Sequence, residues 1–471
     1  MRNHGIGFLC LVAIAAAVSA QAQESPVAAA TPVAEQLPAA PGKVFTVTPG
    51  AGFHNEPSIA VDPDNPMHVA AAYQSHASVV FSQDGGNSWT TATGTASTDY
   101  KVSGDVSITY DKHGAAILCY IAFDKLGTEN YWARGATRNG IFVRRSADGG
   151  ATWEAQDHAV IAQPTKPGIP FEDKSYIVAD NSNSRYAGNL YVGWTEFHLD
   201  DSVVLLSRST DGGQTWSAPI DISAHHGLPR DDNGAVEGFS GAVAADGTVY
   251  AVWADGDSIA FTWSHNGGQT FARSRSVIRT APLYFAVAGL DRANGFPQIA
   301  IDPRHGSKGR LFVTWSDYRA GDIGVYCATS DDGGKSWSKA VRVNSNPPHD
   351  GTDQFFQWLA VDPTTGAASV IFYDRRIDPD NRKTTVTLAR STDGGATFTN
   401  YAWTRDGFVP RREEFLGDYI GVAALNNKVY GVWAEIAPPE TPKDKLAPPP
   451  TEFRPHTIVR IGVADFSGGA H

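Results

Sequence analysis

An eight-residue pattern, Ser-x-Asp-x-Gly-x-Thr/Ser-aromatic, recurs six times in this chain of 471 residues and constrains its fold more than any other feature. The copies are Ser82–Trp89, Ser146–Trp153, Ser209–Trp216, Ser264–Phe271, Ser330–Trp337 and Ser391–Phe398. Their third positions, Asp84, Asp148, Asp211, Asn266, Asp332 and Asp393, are 55 to 66 residues apart. A period of this length marks a repeat architecture in which each copy is one supersecondary unit. Each copy reads as a hairpin turn. The carboxylate accepts backbone N–H bonds, the glycines supply positive φ, and the aromatic packs the turn onto its sheet. These acids are therefore expected to be structural.

A second pattern precedes each turn: an apolar strand, a short turn, and a second strand that mostly ends in an acid. It occurs seven times, one more than the boxes, and six copies close on Asp124, Glu196, Asp255, Asp317, Asp374 and Glu435. The seventh copy is followed by one more strand, TIVRIGVADF, and no fourth. The missing strand is expected at the other end of the sequence, where Val44–Val47 would pair with Ile458–Val463 and close a ring without free sheet edges. The predicted fold is all-β, a seven-bladed β-propeller of four-stranded antiparallel blades over residues 43–471. Six blades plus an odd sheet is the alternative.

Ahead of the repeats, the apolar run Gly5–Val18 and the small residues Ala20-Gln21-Ala22 have the pattern of a signal peptide over residues 1–22. Residues 23–42, rich in Ala and Pro, read as a flexible spacer. The expected location is secreted or periplasmic, with no membrane anchor, because no segment is apolar over the ~20 residues a spanning helix needs. A net charge of −12 with scattered Lys and Arg excludes nucleic acid as a natural partner. Beyond the signal peptide only Cys119 and Cys327 remain, both inside apolar runs, and both read as buried free thiols.

Six Asp boxes on a strand repeat resemble the BNR/Asp-box superfamily, which includes sialidases. The segments DKSYIVAD, AGNLYVGWTEF, SRSTDGGQTWS and EFLGDYIGVAAL resemble secreted bacterial sialidase-like proteins of the exo-α-sialidase kind. The resemblance implies a propeller acting on or recognising glycans, with arginines that hold an anionic sugar, a Tyr nucleophile and an Asp acid/base. Those sialidases carry Arg-Ile-Pro ahead of the first box, whereas this chain reads Glu56-Pro57-Ser58-Ile59.

The ligand site is expected on the face opposite the Asp boxes, where loops of several blades converge around the channel. Blades five to seven bring Asp317-Tyr318-Arg319, Tyr373-Asp374-Arg375-Arg376 and Arg411-Arg412 to that face. In the hydrolase reading Arg319, Arg375 and Arg411 bind the sugar carboxylate, aided by Arg376 and Arg412. Tyr318 or Tyr373 is then the nucleophile, and Asp317 or Asp374 the acid/base. Long loops add Trp132 and Arg292, whose types suit sugar stacking and anion binding. In the alternative reading these residues tie loops together and the protein is a non-catalytic propeller that presents its loop face to a protein or polysaccharide. An acidic column, Glu56, Asp105, Asp173, Glu237, Asp353 and Asp418, opens several first strands and suggests a Ca²⁺ in the channel. No dense Asp-x-Asp loop supports it and no histidine spacing suggests zinc, so no cofactor and no metal residue is assigned. The expected partner is a glycan or glycoconjugate, and the expected state a monomer.

Overall fold

A computed structural model describes residues 36–95, 97, 99–125, 138–164, 170–230, 234–283, 287–290, 292–438 and 456–468. The signal peptide, most of the spacer and Trp132 lie outside these residues. The described residues form seven four-stranded antiparallel sheets and no helix. The first strands are Ser58–Val61, Val102–Tyr110, Phe171–Ala179, Val236–Val243, Gln298–Asp302, Gln354–Val361 and Gly421–Leu425. Each packs against the first strand of the next blade, and the seventh packs against the first, which closes the ring around a channel.

Blade 7 is completed from the other end of the chain. Gly42–Thr46 pairs with Thr457–Asp465, with Val44 opposite Gly462 and Thr46 opposite Arg460. The seven-bladed expectation and its closure are both met. The spacer ends earlier than residue 42, however. Ala40 N–H donates to Ala402 O at 2.9 Å, Ala402 N–H donates to Pro38 O at 2.8 Å, and Leu37 is buried. The outermost strand of blade 6, Thr399–Ala402, has open backbone groups that these residues satisfy.

The Asp boxes lock each blade to its neighbour. In the fifth, Asp332 Oδ1 accepts Ser336 N–H at 2.9 Å and the Ser330 hydroxyl at 2.8 Å. Gly334 sits at φ +81°, and a Cβ there would strike the Phe261 ring of the preceding blade. In the second strands, toward the face opposite the turns, Trp194, Trp253, Trp315 and Trp433 are fully buried. Trp315 Nε1 donates to Asp317 at 2.8 Å and Trp433 Nε1 to Glu435 at 2.7 Å, so these strand-ending acids anchor the blade cores. Cys119 and Cys327 are free and buried, and burial pushes both thiols up to about 12.

Candidate active site

Four of the seven first strands carry a β-bulge where they reach the channel mouth, and the side chains at the bulges set the chemistry there. Register shifts fall at Gly104/Ser107, Asp173/Tyr176, Glu237/Ser240 and Phe355/Trp358. Asp105, Lys174 and Phe356 take positive φ of 45°, 53° and 52° at these bulges, and Glu56 takes 49° just before the first strand of blade 1. A bulge re-aims a side chain, and positive φ in a non-glycine residue is a strain that persists where the surroundings impose it. Here the strained residues of blades 1 to 3 are an acid, an acid and a lysine.

These groups meet. The Glu56 and Asp105 carboxyls lie within hydrogen-bonding reach of each other. Burial, with Asp105 and Asp418 beside it, holds Glu56 well above the usual carboxylate range, opposed by the charge of Arg292. Lys174 N–H donates to Asp105 Oδ2 at 3.1 Å, and Asp418 N–H to Glu56 Oε1 at 3.3 Å. Gly417, at φ +91°, precedes Asp418 because a Cβ there would collide with Glu56.

The Lys174 ammonium lies 3.3 Å from the Tyr419 ring centroid, 5.3 Å from that of Phe296 and 5.5 Å from that of Trp358. Burial lowers its pKa, while Asp105, Glu56, Asp418 and Glu237 act to keep it charged. Tyr419 donates to Val106 O at 3.2 Å, and burial beside Glu56 and Asp105 raises its phenol well above the ordinary value. Glu56, Lys174, Asp418 and Tyr419 are buried, whereas Asp105 is partly exposed.

The chain between blades 4 and 5 crosses the loop face as a strap. Arg375 of blade 6 donates to Ala288 O at 2.8 Å, and Val287 and Leu290 pack with Phe355 and Leu416. The strap delivers Arg292 to blade 7, where Nε donates to Asp418 Oδ1 at 2.8 Å, Nη2 bonds Oδ2, and the guanidinium lies 5.1 Å from the Phe415 ring centroid. Arg292 is thus the one predicted binding residue, among those described, that stands at the channel mouth.

The other candidates are placed elsewhere and are not brought together. Asp317 is fully buried and accepts from Trp315, from Ala281 N–H and from Arg319, whose guanidinium packs on Trp315 and Tyr326 and donates to Arg279 O. Asp374 is likewise consumed by Arg376, which also bonds Ser345 and Asn400. Arg375 is fully buried, with Thr384, Asn381 O and Ala288 O as acceptors. The Tyr373 hydroxyl donates to Ala434 O at 2.5 Å, and burial raises it well above 10, which keeps it a phenol. Tyr318 is 44% exposed. Arg319 lines a groove with Arg275 and Trp337, while Arg411 lines a different pocket with Arg405, Glu435 and Arg460. Arg412 is exposed beside it. The expected arginine clamp is therefore corrected: Arg319 is held by Asp317 and Arg279 O, Arg375 by Thr384, Asn381 O and Ala288 O, and Arg411 lies beside Glu414.

Of the acidic column, Glu56, Asp105 and Asp418 converge. Asp353 instead binds Asn381 and Ile323 N–H. Among the described residues no group of three or more His, Cys, Asp or Glu side chains has a metal-binding arrangement. Lys174 and Tyr419 were not anticipated from the sequence. The available signal was the lysine in FEDKSY, which breaks an otherwise acidic column.

Residues 207–218 match the BNR/Asp-box repeat. The chain carries that repeat. The Asp-box propeller is 24% identical to a Paenibacillus xyloglucanase over 311 residues, covering 61% of this chain and 26% of that protein. It thus spans about a quarter of the length of this curated relative. A phage phi92 endosialidase structure matches 92% of this chain and 70% of its own, with TM-score 0.50 and 12% identity. A Hadza microbial sialidase matches 86% and 76%, with TM-score 0.46 and 17% identity. At 12% identity the likeness to the endosialidase structure is one of fold.

Proposed function

We propose that this Asp-box propeller is a glycoside hydrolase acting outside the cytoplasm, with its catalytic centre at the channel mouth. The observation that carries the reading is the meeting of Glu56, Asp105 and Asp418, held by strained backbone beside the buried Lys174. Perturbed titratable groups from several blades converging on one concave rim are the usual mark of a reactive site. The similarity to a xyloglucanase supports the substrate class, and the leader pattern Gly5–Val18 supports export.

In this reading the proton that Glu56 holds, its pKa raised by burial, passes by way of the partly exposed Asp105 to the glycosidic oxygen as the C–O bond breaks. Water adds to the anomeric carbon and its proton returns to the pair, so the enzyme ends as it began. Asp418, oriented by Arg292, offers negative charge to the oxocarbenium-like transition state. Lys174 holds the Asp105 carboxyl in place through its backbone N–H.

A panel of fluorogenic glycosides and neutral and anionic oligosaccharides, assayed between pH 4 and 8, tests this. Asp105→Asn is expected to lower kcat by about 10²–10⁴-fold, and Glu56→Gln to remove the alkaline limb of the pH profile. That limb exists because the donor form is lost as pH rises through the raised Glu56 pKa. The absence of turnover on every substrate overturns the hydrolase. It leaves the glycan-binding propeller, a reading favoured by the deep burial of Glu56, Lys174 and Tyr419.

A further inference from the structure

A groove lies between the outermost strand of blade 4, Arg275–Arg279, and the segment 335–340 that leads into the outermost strand of blade 5. Its volume is about 390 Å³, within the ~300–1,000 Å³ of small-ligand sites. It shares no described lining residue with the cluster at the channel mouth.

The lining has one sign of charge. Arg275, Arg279, Arg319 and Lys335 line the groove, and among the described residues no Asp or Glu does. The acids around it are already engaged: Asp257 by Arg279, Asp317 by Trp315 and Arg319, and Asp332 by the hydroxyls of Ser330 and Ser336. They offset Arg279 and Arg319 in part, whereas the exposed Arg275 and Lys335 have no acid partner among the described residues. The chain as a whole carries a net charge of −12. A polyanion is repelled by most of that surface and is directed to the cationic groove.

The guanidinium groups are also held in place. In blades 2 and 3 the indole of the Asp box donates to the glycine carbonyl of its own turn, Trp153 to Gly150 O at 3.0 Å and Trp216 to Gly213 O at 3.1 Å. In blade 5 that carbonyl, Gly334 O, instead accepts Arg275 Nη2 from blade 4 at 2.5 Å, and Trp337 Nε1 is left without an acceptor. Arg275 is thereby fixed across the seam between two blades by one nitrogen, with Nε and Nη1 unused among the described residues. Arg319 Nη2 donates to Arg279 O at 2.9 Å, which ties these two residues together. A guanidinium fork with spare donors matches the oxygens of a carboxylate or a sulfate, and fixing it beforehand reduces the entropy lost on binding. The half-buried Trp337 ring adds the flat surface that the C–H face of a sugar covers.

We propose that this groove is a non-catalytic binding site for an acidic polysaccharide, whose carboxylate or sulfate groups bind Arg275, Arg279, Arg319 and Lys335 while a sugar ring lies on Trp337. The site is separate from the channel mouth, so Asp105→Asn is expected to leave its affinity unchanged. Binding to the full chain is measured by calorimetry with tetragalacturonate, a sulfated carrageenan tetrasaccharide, neutral cellotetraose and a short DNA oligonucleotide. At least one of the two acidic oligosaccharides is expected to bind about 10-fold or more tighter than cellotetraose and the DNA, and to weaken as NaCl is raised. Binding of tetragalacturonate alone makes the ligand a uronate, and binding of the carrageenan alone makes it a sulfate ester; either outcome supports the site. A chain carrying Arg275→Gln, Arg279→Gln and Lys335→Glu is expected to bind about 10-fold or more weakly, with the melting transition retained because all three residues are exposed. Should that chain fail to fold, Lys335→Glu alone is read in its place, with a loss of about 3-fold expected. Binding of neither acidic probe, equal binding of cellotetraose or DNA, or unchanged affinity in the folded variant overturns the site.

Discussion

Arg375 and Arg376 are adjacent in the chain, share an acid-rich neighbourhood, and both end up inside the protein. Arg375 stacks its guanidinium 5.0 Å from the Phe355 ring centroid and fills three acceptors, and burial pulls its pKa down to about 10. Removing such a cation strands the groups that faced it. Arg375→Ala is therefore expected to destabilise by about 3–5 kcal/mol in urea unfolding, which would abolish any activity through the fold. Arg411 is the contrasting case: its side chain is 68% exposed and 3.7 Å from Glu414. Arg411→Ala should change stability by at most about 1 kcal/mol in the same measurement. Tyr373→Phe removes one donor from Ala434 O, and a shift of about 1–2 kcal/mol is expected.

Within the hairpin elements, the Asp box needs hydrogen-bond acceptors and tolerates the loss of charge. At the fourth copy Asn266 Oδ1 accepts Thr270 N–H at 3.0 Å, and Nδ2 donates to the Thr270 hydroxyl at 2.8 Å. Elsewhere the Ser88 and Ser82 hydroxyls hold Asp84 down to about 2. Asp332→Asn should therefore stay within about 0.5 kcal/mol of the parent. Gly334→Ala, which meets Phe261 at positive φ, should lose about 1–3 kcal/mol on thermal melting. Blade 3 carries a different device, a chain of ionisable groups from the interior to the surface. Glu196 meets His198 Nε2 at 2.6 Å, His198 Nδ1 meets Asp201 at 2.6 Å, and Asp201 meets His226 at 2.8 Å. The bond to Glu196, above all, raises His198 to about 9. A raised imidazolium pKa adds stability that is complete below about 6.5, the unfolded value, and is lost as pH rises through about 9. The melting temperature should accordingly fall between pH 7 and 9.5, and His198→Gln should flatten that fall.

For the whole molecule, ring closure is the decisive event, because the strand Gly42–Thr46 is what removes the last free edge. Deleting residues 1–48 would bare the Thr457–Asp465 strand along its length and open the Leu37 contact on blade 6. The truncated protein is expected to elute as oligomers in size-exclusion chromatography and to melt over a broader range than the full chain. A monomeric, sharply melting truncation would show that blade-to-blade packing of the first strands is sufficient by itself. Several buried acids act in the same direction as His198. Glu56, Glu172 and Glu435 are raised, chiefly by burial, so each contributes stability below the ordinary carboxylate pKa that is lost as pH rises through its own.

The repeat, the number of blades and the closing strand were legible in the sequence, because each follows from local chemistry. A Ser-x-Asp-x-Gly turn bonds to itself within eight residues, and seven strand pairs with one strand missing leave a ring only one way to complete its last sheet. The channel-mouth site was not legible in the same way. Glu56 and Asp418 are 362 residues apart and touch only because blade 7 packs on blade 1. Lys174 joins them because a bulge turns it to φ +53° and into the rings of Tyr419, Trp358 and Phe296, which come from two other blades and the strap. The arginine clusters that stood out in the sequence were spent within two residues of themselves, Arg319 on Asp317 and Arg376 on Asp374. Sequence by itself determined the repeating sheet and its turn, since their bonds are short-range. Only the tertiary structure decided which charged groups meet one another, since that depends on how seven sheets converge on one axis.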